Sequence, residues 1–334
     1  MISRAKRTIF DLAGRVASCD VRDTIVLAGA SRSGTTWLLE IFRTLPGYKA
    51  LQEPLMHDEV REQSGLSWRP HIVPNAHRPR QRAYLEKILT GQLELPVAWF
   101  FEACSQPMQL LEHLSRRKLV IKFCRAGRML QWQCRQFEMR GTVLIIRHPC
   151  AVVASMLRHG AWEGVKQNEG KWGQAFQNHD IPEPLREQVF STLEHVNSRV
   201  EVLTLTWCLD YYVPFHLHSE AGYPWVLTAY ERLVAEGIRE LERIAAALDV
   251  EVTPTMRAQF DVPSSSVRDR PRQNAQDQLS KWKDRLAPKQ VDDILRIVDD
   301  FDLGFYTDAL HPDYDRLMQF QRDEVETNIS THAA

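Results

Sequence analysis

Residues 24–37 read TIVLAGASRSGTTW, an apolar run followed by a glycine-bearing loop and the first turn of an amphipathic segment. That order predicts a buried strand, a tight loop and a helix N-terminus. Unpaired backbone N–H groups and the positive end of the helix dipole then converge on one point, which suits a phosphate-like anion. The spacing nearly meets the phosphate-loop pattern G-x-x-x-x-G-K-[ST], with Gly29, Gly34 and Thr36 in register. Thr35 stands in the lysine slot, and the cation has moved to Arg32 inside the loop. In nucleotide triphosphatases the loop lysine reaches the terminal phosphates while the next hydroxyl holds magnesium. Without that lysine the loop predicts an anionic ligand and does not specify ATP.

Four more apolar runs follow: YKALQE from 48, LVIKFC from 119, TVLIIR from 142 and WVLTAY from 225. With helical segments between them, they predict an α/β fold of three layers. Its central sheet has about five mostly parallel strands flanked by helices, as in phosphate-loop proteins. Trp37, Leu38, Ile41, Phe42 and Leu45 repeat as an inward stripe. Pro149 suits a first helical position before Val152, Val153, Met156 and Leu157. Ligands of open α/β sheets collect at the carboxyl ends of the strands, so the strand-to-helix turns carry the interest.

One α/β domain over 21–319 is expected, because no internal repeat or long polar linker divides the chain. An amphipathic segment, 1–20, precedes it and a frayed tail, 320–334, follows. Insertions lie near 57–118 and 159–190. The first contains the proline-interrupted stretch RPHIVPNAHRPR, and connections of such length tend to be functional lids or mobile. A pocket for a second ligand is expected between the two insertions.

Lys+Arg of 42 against Asp+Glu of 43 gives a formal net charge of -1, which argues against nucleic acid as a partner and makes any basic site local. The six cysteines form no C-x-x-C pair and show no His spacing suited to zinc, so they read as reduced, packed thiols. The start lacks the continuous apolar run of a signal peptide or membrane span, which favours a cytoplasmic location. Ile2, Ile9, Phe10, Ala13 and Val16, with Arg4, Lys6, Arg7 and Arg15 around them, form a face that fits either a membrane surface or the core.

Arg32-Ser33-Gly34-Thr35-Thr36-Trp37 resembles the 5′-phosphosulfate loop of the sulfotransferases that use 3′-phosphoadenosine 5′-phosphosulfate. A second block, TVLIIRHPCAVVASMLR over 142–158, is similar to the family's 3′-phosphate site, a strand ending in Arg followed eight residues later by Ser. Arg147 and Ser155 fall at those positions. Tyr230-Glu231-Arg232-Leu233 is similar to the family's Y-E-D-L segment, which makes Tyr230 a neighbour of the nucleotide. The R-K-G-x-x-G-x-W stretch of the cytosolic branch is missing its glycines here, leaving Arg268, Arg270, Arg272 and Lys281-Trp282. This departure places the resemblance nearer the carbohydrate-type and bacterial branches, with Arg268 as the closing arginine. The resemblance implies that Arg32, Ser33, Gly34, Thr35, Thr36, Trp37, Arg147, Ser155, Tyr230 and Arg268 hold the donor. Its product would be 3′,5′-adenosine bisphosphate, and no metal is required.

The reaction needs a cradle for the donor, a base for the acceptor hydroxyl, and positive charge on the departing phosphate. Glu53, in Leu51-Gln52-Glu53-Pro54-Leu55 at the end of the second strand, faces the same rim as the loop and is the expected base. Carbohydrate-type members carry a similar E-P-L. Cytosolic members use the histidine of K-T-H, which aligns with Lys122-Phe123-Cys124, so Lys122 is kept as a second cation near the transferring group. The catalytic set is thus Glu53, Arg32 and Lys122. The resemblance leans toward a carbohydrate or lipid-linked hydroxyl as acceptor. A phosphate-loop kinase using ATP and Mg and a non-catalytic nucleotide-binding scaffold stay open as alternatives.

Overall fold

The computed structural model describes residues 18–92, 115–160, 176, 179–266 and 275–321. Five strands form one sheet: β1 (Thr24–Ala28), β2 (Tyr48–Gln52), β3 (Lys118–Phe123), β4 (Gly141–Ile146) and β5 (Val226–Ala229). Their order is β2-β3-β1-β4-β5, and all four pairings are parallel. Each coincides with one of the apolar runs. Both faces of the sheet are covered, which is why these strands read as near-continuous apolar segments.

Alternation along β1 divides the core. Ile25 and Leu27 pack with Leu38, Ile41 and Phe42 of the Thr35–Phe42 helix and with Leu241 and Ile244 of the Ile238–Ala247 helix. Val26 joins Ile121 and Phe123 of β3 on the other face. Beside them, Leu144 and Ile146 of β4 meet Leu205, Leu209 and Tyr211 of the Arg199–Tyr212 helix, which also packs on the Pro288–Asp300 helix. This long helix is buried on nearly every side, so apolar periodicity alone marks no single inward stripe on it.

The described part of the first insertion differs from the expected lid. The Asp58–Ser64 and Pro79–Leu89 helices send Val60, Leu85, Ile88 and Leu89 into the same core cluster as Leu51 and Ile121. Burying that apolar surface fixes the segment against the sheet. The first residue of the expected tail is packed: Phe320 stacks on Phe215 with ring centroids 4.6 Å apart, and its carbonyl accepts from Trp225 Nε1 at 2.7 Å. Residues 1–17 and 322–334 lie outside the described residues, as does most of 159–190. Among the described residues no helix is long and apolar enough to cross a membrane, and no group of three or more His, Cys, Asp or Glu could hold a metal ion.

Candidate functional site

β1 lies between β3 and β4, at the point where the strand order reverses, and ligands of open α/β sheets collect beyond the carboxyl ends at such a point. The loop 29–34 fills that place. A Cβ on Gly29 would come within 2.3 Å of the Ile145 carbonyl oxygen, and one on Gly34 within 2.7 Å of the Tyr230 ring. Gly34 also has φ +99° and serves as N-cap of the Thr35–Phe42 helix without any side-chain cap. The first helical amides therefore keep their donors for a ligand. Arg32 sits in the left-handed region at φ 73°, a conformation that costs a non-glycine residue about 1 kcal/mol or more and is typical of functional turns.

One phenol holds the loop from beneath. Tyr211 Oη donates to the Ile145 carbonyl at 2.9 Å, accepts the Ala30 N–H at 3.0 Å, and lies 3.1 Å from Ser33 Oγ. A phenol has a single proton. With that proton on Ile145, the Ser33 hydroxyl must be the donor to Tyr211. The Ser33 N–H is also occupied, by the Ala30 carbonyl at 3.1 Å, and the residue is fully buried, so its side chain faces the core instead of the crevice. Thr35 is likewise buried, its hydroxyl 3.3 Å from Cys124 Sγ.

The second expected anion turn meets the first. Arg147 Nη1 donates to the Arg32 carbonyl at 3.1 Å, and its guanidinium lies over the Tyr230 ring, 4.1 Å from the centroid. Arg32 Nε donates to Ser155 Oγ at 3.0 Å, and its Nη2 to the Ser266 carbonyl at 3.0 Å. Arg32, Arg147, Ser155 and Tyr230 are thus brought together. Trp37 extends the group, its ring 4.7 Å from that of Phe260 and 6.0 Å from that of Tyr230. Arg268 lies outside the described residues.

The backbone behind Arg147 is clamped. Trp207 Nε1 donates to the Arg147 carbonyl at 3.2 Å, and Glu231 accepts the His148 N–H at 3.0 Å and the Tyr306 hydroxyl at 2.9 Å. His148 is buried, with Nδ1 accepting the Cys150 N–H at 3.2 Å and Nε2 2.9 Å from the Thr307 carbonyl. That geometry requires a neutral ring with its proton on Nε2. Burial holds its pKa down at about 4.

Glu53 occupies the end of β2 with φ 49° and ψ 53°, and is 5 % exposed. Its N–H donates to the Lys122 carbonyl at 2.9 Å, which sets the carboxylate beside β3. Oε2 accepts from Arg125 Nη1 at 3.2 Å, while Oε1 is buried without a hydrogen bond among the described residues and lies 3.8 Å from Lys122 Nζ. Lys122 Nζ in turn donates to Thr36 Oγ1 at 3.1 Å. A chain of contacts thus runs from the loop helix through Lys122 to Glu53. Cys124, enclosed between them, has its thiol pushed up to about 11 by burial and then by the Glu53 charge, which keeps it protonated.

Beyond Glu53 lies a group that the motifs do not announce. Asp210 is shared by Arg69 Nη1 and by Arg128 Nε, the latter at 3.1 Å, all three side chains being buried. Arg69 pairs its backbone with His179 in an isolated parallel bridge that joins the two insertions. His71 stacks on His218 with Nε2 atoms 3.0 Å apart. The sequence does show Arg125 and Arg128 just beyond the strand that carries Lys122, a position that could have flagged them. Nothing local marks Arg69, Asp210 or Tyr211, whose partners lie 66 to 181 residues away.

No family model matches the sequence, and no curated protein matches it. Among solved structures, the chain is similar to the sulfotransferase domain of the curacin biosynthetic pathway, at 17% identity with a TM-score of 0.46, covering 83% of this chain and 96% of that one. A sulfotransferase domain from the Synechococcus PCC 7002 olefin synthase gives 17% identity and a TM-score of 0.43, with 84% and 94% covered. Mouse sulfotransferase SULT7A1 complexed with PAP gives 16% identity and a TM-score of 0.39, with 92% and 93% covered.

Proposed function

We propose that the protein moves a sulfuryl group from 3′-phosphoadenosine 5′-phosphosulfate to a hydroxyl acceptor and releases 3′,5′-adenosine bisphosphate. The observation that carries this reading is the junction of Arg147 with the Arg32 carbonyl, which sets two cationic turns side by side at the rim that Glu53 shares. A ligand with two separated negative ends fits that arrangement better than one with a single phosphate chain. The buried Arg147 Nε, without a hydrogen-bond partner among the described residues, is consistent with a site completed by an anion.

The loop amides, Thr36 and Arg32 would hold the 5′ end, with Arg147 and Ser155 at the 3′ end and Trp37 and Tyr230 beside the base. The donor supplies an activated sulfur whose leaving group is the bisphosphate. Glu53 Oε1, without a hydrogen bond among the described residues, is the atom placed to take the acceptor proton as the acceptor oxygen bonds to sulfur and the bond from sulfur to the 5′-phosphate oxygen breaks. Lys122, between Thr36 and Glu53, is positioned to offset charge gathering on the departing phosphate. The motif resemblance supports a carbohydrate or lipid-linked hydroxyl as acceptor.

Selective ligand binding raises the melting temperature by mass action, so a comparison of nucleotides tests the reading. 3′,5′-Adenosine bisphosphate should raise it more than ATP with magnesium at equal concentration. A larger rise with ATP and magnesium would replace this reading with that of a phosphate-loop kinase.

A further inference from the structure

The two acids around the proposed acceptor site are each shared by two cations. Lys122 and Arg125 face Glu53, and Arg69 and Arg128 face Asp210, so four positive groups meet two carboxylates, an excess of two. The nearby Asp180 carboxylate is exposed and accepts the His71 N–H, so solvent answers for much of its charge. An excess of buried positive charge is unfavourable unless something compensates it.

The donors are also underused. Among the described residues, the Arg69 guanidinium makes one hydrogen bond, to Asp210, and that of Arg125 makes one, to Glu53, although each carries five N–H groups. Arg69 Nε, Arg125 Nε and Arg128 Nη2 are buried with no partner among the described residues, as is His179 Nδ1. Their side chains are 4 %, 11 % and 0 % exposed. Arg125 is further fixed by the Trp68 ring, 4.0 Å from its guanidinium carbon. Burial, and after it Arg69, Arg128 and Arg125 in that order, depress the His179 pKa, so all three arginines act on one spot.

We propose that Arg69, Arg125 and Arg128 form an anion subsite for the acceptor, so that the favoured acceptor carries a carboxylate or phosphate close to the hydroxyl that reacts. Arg125 links this subsite to the base, because the guanidinium that would receive the anion already binds Glu53 Oε2 and leaves Oε1 to the hydroxyl. A bidentate anion would satisfy the unpaired guanidinium groups and balance the excess charge together. The inference rests on the sulfotransferase reading for its acceptor, but not for its arginines.

The test uses the full chain saturated with 3′,5′-adenosine bisphosphate and follows melting at constant ionic strength. Sodium glucuronate and inorganic phosphate are titrated separately, with glucose as the neutral match and chloride as the ionic control. At least one of the two anions should give a saturable rise that glucose and chloride lack, and the arm that responds tells carboxylate from phosphate. Arg125→Gln should weaken that response by about tenfold or more while bisphosphate affinity stays within about twofold, since one charge-assisted pair is removed outside the donor site. Arg125→Lys, which keeps the charge but not the fork, should recover part of it and serves if the glutamine variant does not fold. No saturable response to either anion, or an equal response in the Arg125 variants, overturns the subsite. Failure of the bisphosphate itself to bind would instead overturn the sulfotransferase reading, and the anion titration still reads the arginines in that case.

Discussion

Arg147 Nη1 donates to the Arg32 carbonyl oxygen at 3.1 Å, across 115 residues of sequence. This bond holds the loop residue in its left-handed conformation from above, while Tyr211 holds Ala30 and Ser33 from below. The spacing between the two cationic turns is therefore set by side chains on either side of the loop, and each contact suggests a measurement.

Arg147→Ala should erase most of the preference for 3′,5′-adenosine bisphosphate over 5′-AMP. Loss of a charge-assisted phosphate contact predicts a fall of about tenfold or more in the ratio of their affinities, read by calorimetry. An unchanged ratio would mean that Arg147 only braces the loop.

Glu53→Gln should lower kcat by about a hundredfold or more and leave bisphosphate affinity nearly unchanged, because in the proposed reaction the side chain acts on the acceptor proton. It should also lower stability by about 3 kcal/mol, since Lys122 and Arg125 would lose their shared carboxylate. Steady-state kinetics with separate melting curves distinguish the two effects. A variant that loses donor binding as fully as turnover would make Glu53 a structural residue.

Tyr211→Phe keeps the ring and removes the oxygen that serves Ala30, Ser33 and Ile145. Leaving buried partners unpaired should cost about 1–3 kcal/mol of stability by denaturant titration and weaken donor binding. Ser33→Ala should change donor affinity far less, as that hydroxyl is committed to Tyr211.

Stability should fall with acid through a defined window. His148 is held at about 4 by burial, against an ordinary value of 6.5, so between those values the unfolded chain binds a proton that the folded chain refuses. The neutral ring is fully accommodated above about pH 6.5, and stability is lost as pH falls toward 4, by about 3 kcal/mol from this residue. His71, also held at about 4, acts in the same direction. Melting temperature measured from pH 7 to 4 should show the decline, and His148→Gln, which retains one donor and one acceptor without the titration, should make it shallower, leaving the His71 share.

All five strands, the loop and the helix after it were legible, because each depends on local matters. Apolar runs bury both faces of a parallel strand, glycines permit close approach to Ile145 and Tyr230, and Pro149 opens a helix. The positions of Arg32, Glu53 and Arg147 at strand ends followed from the same patterns. Ser33 was read as a contributor to the anion cradle, yet its direction depends on a tyrosine 178 residues away. The first insertion suggested a lid because prolines interrupt its pattern, whereas its helices bury leucines against the sheet.

Residue order along the chain thus decided which backbone elements form and which charged groups stand at their ends, since periodicity, capping and turn chemistry act over a few residues. Strand order decided who meets whom. Placing β1 between β3 and β4 brings Arg147 onto Arg32 and Lys122 onto Thr36, and the Arg199–Tyr212 helix brings Asp210 to Arg69 and Arg128. Those contacts arise from packing the whole core, and no local pattern encodes the partner of a buried charge.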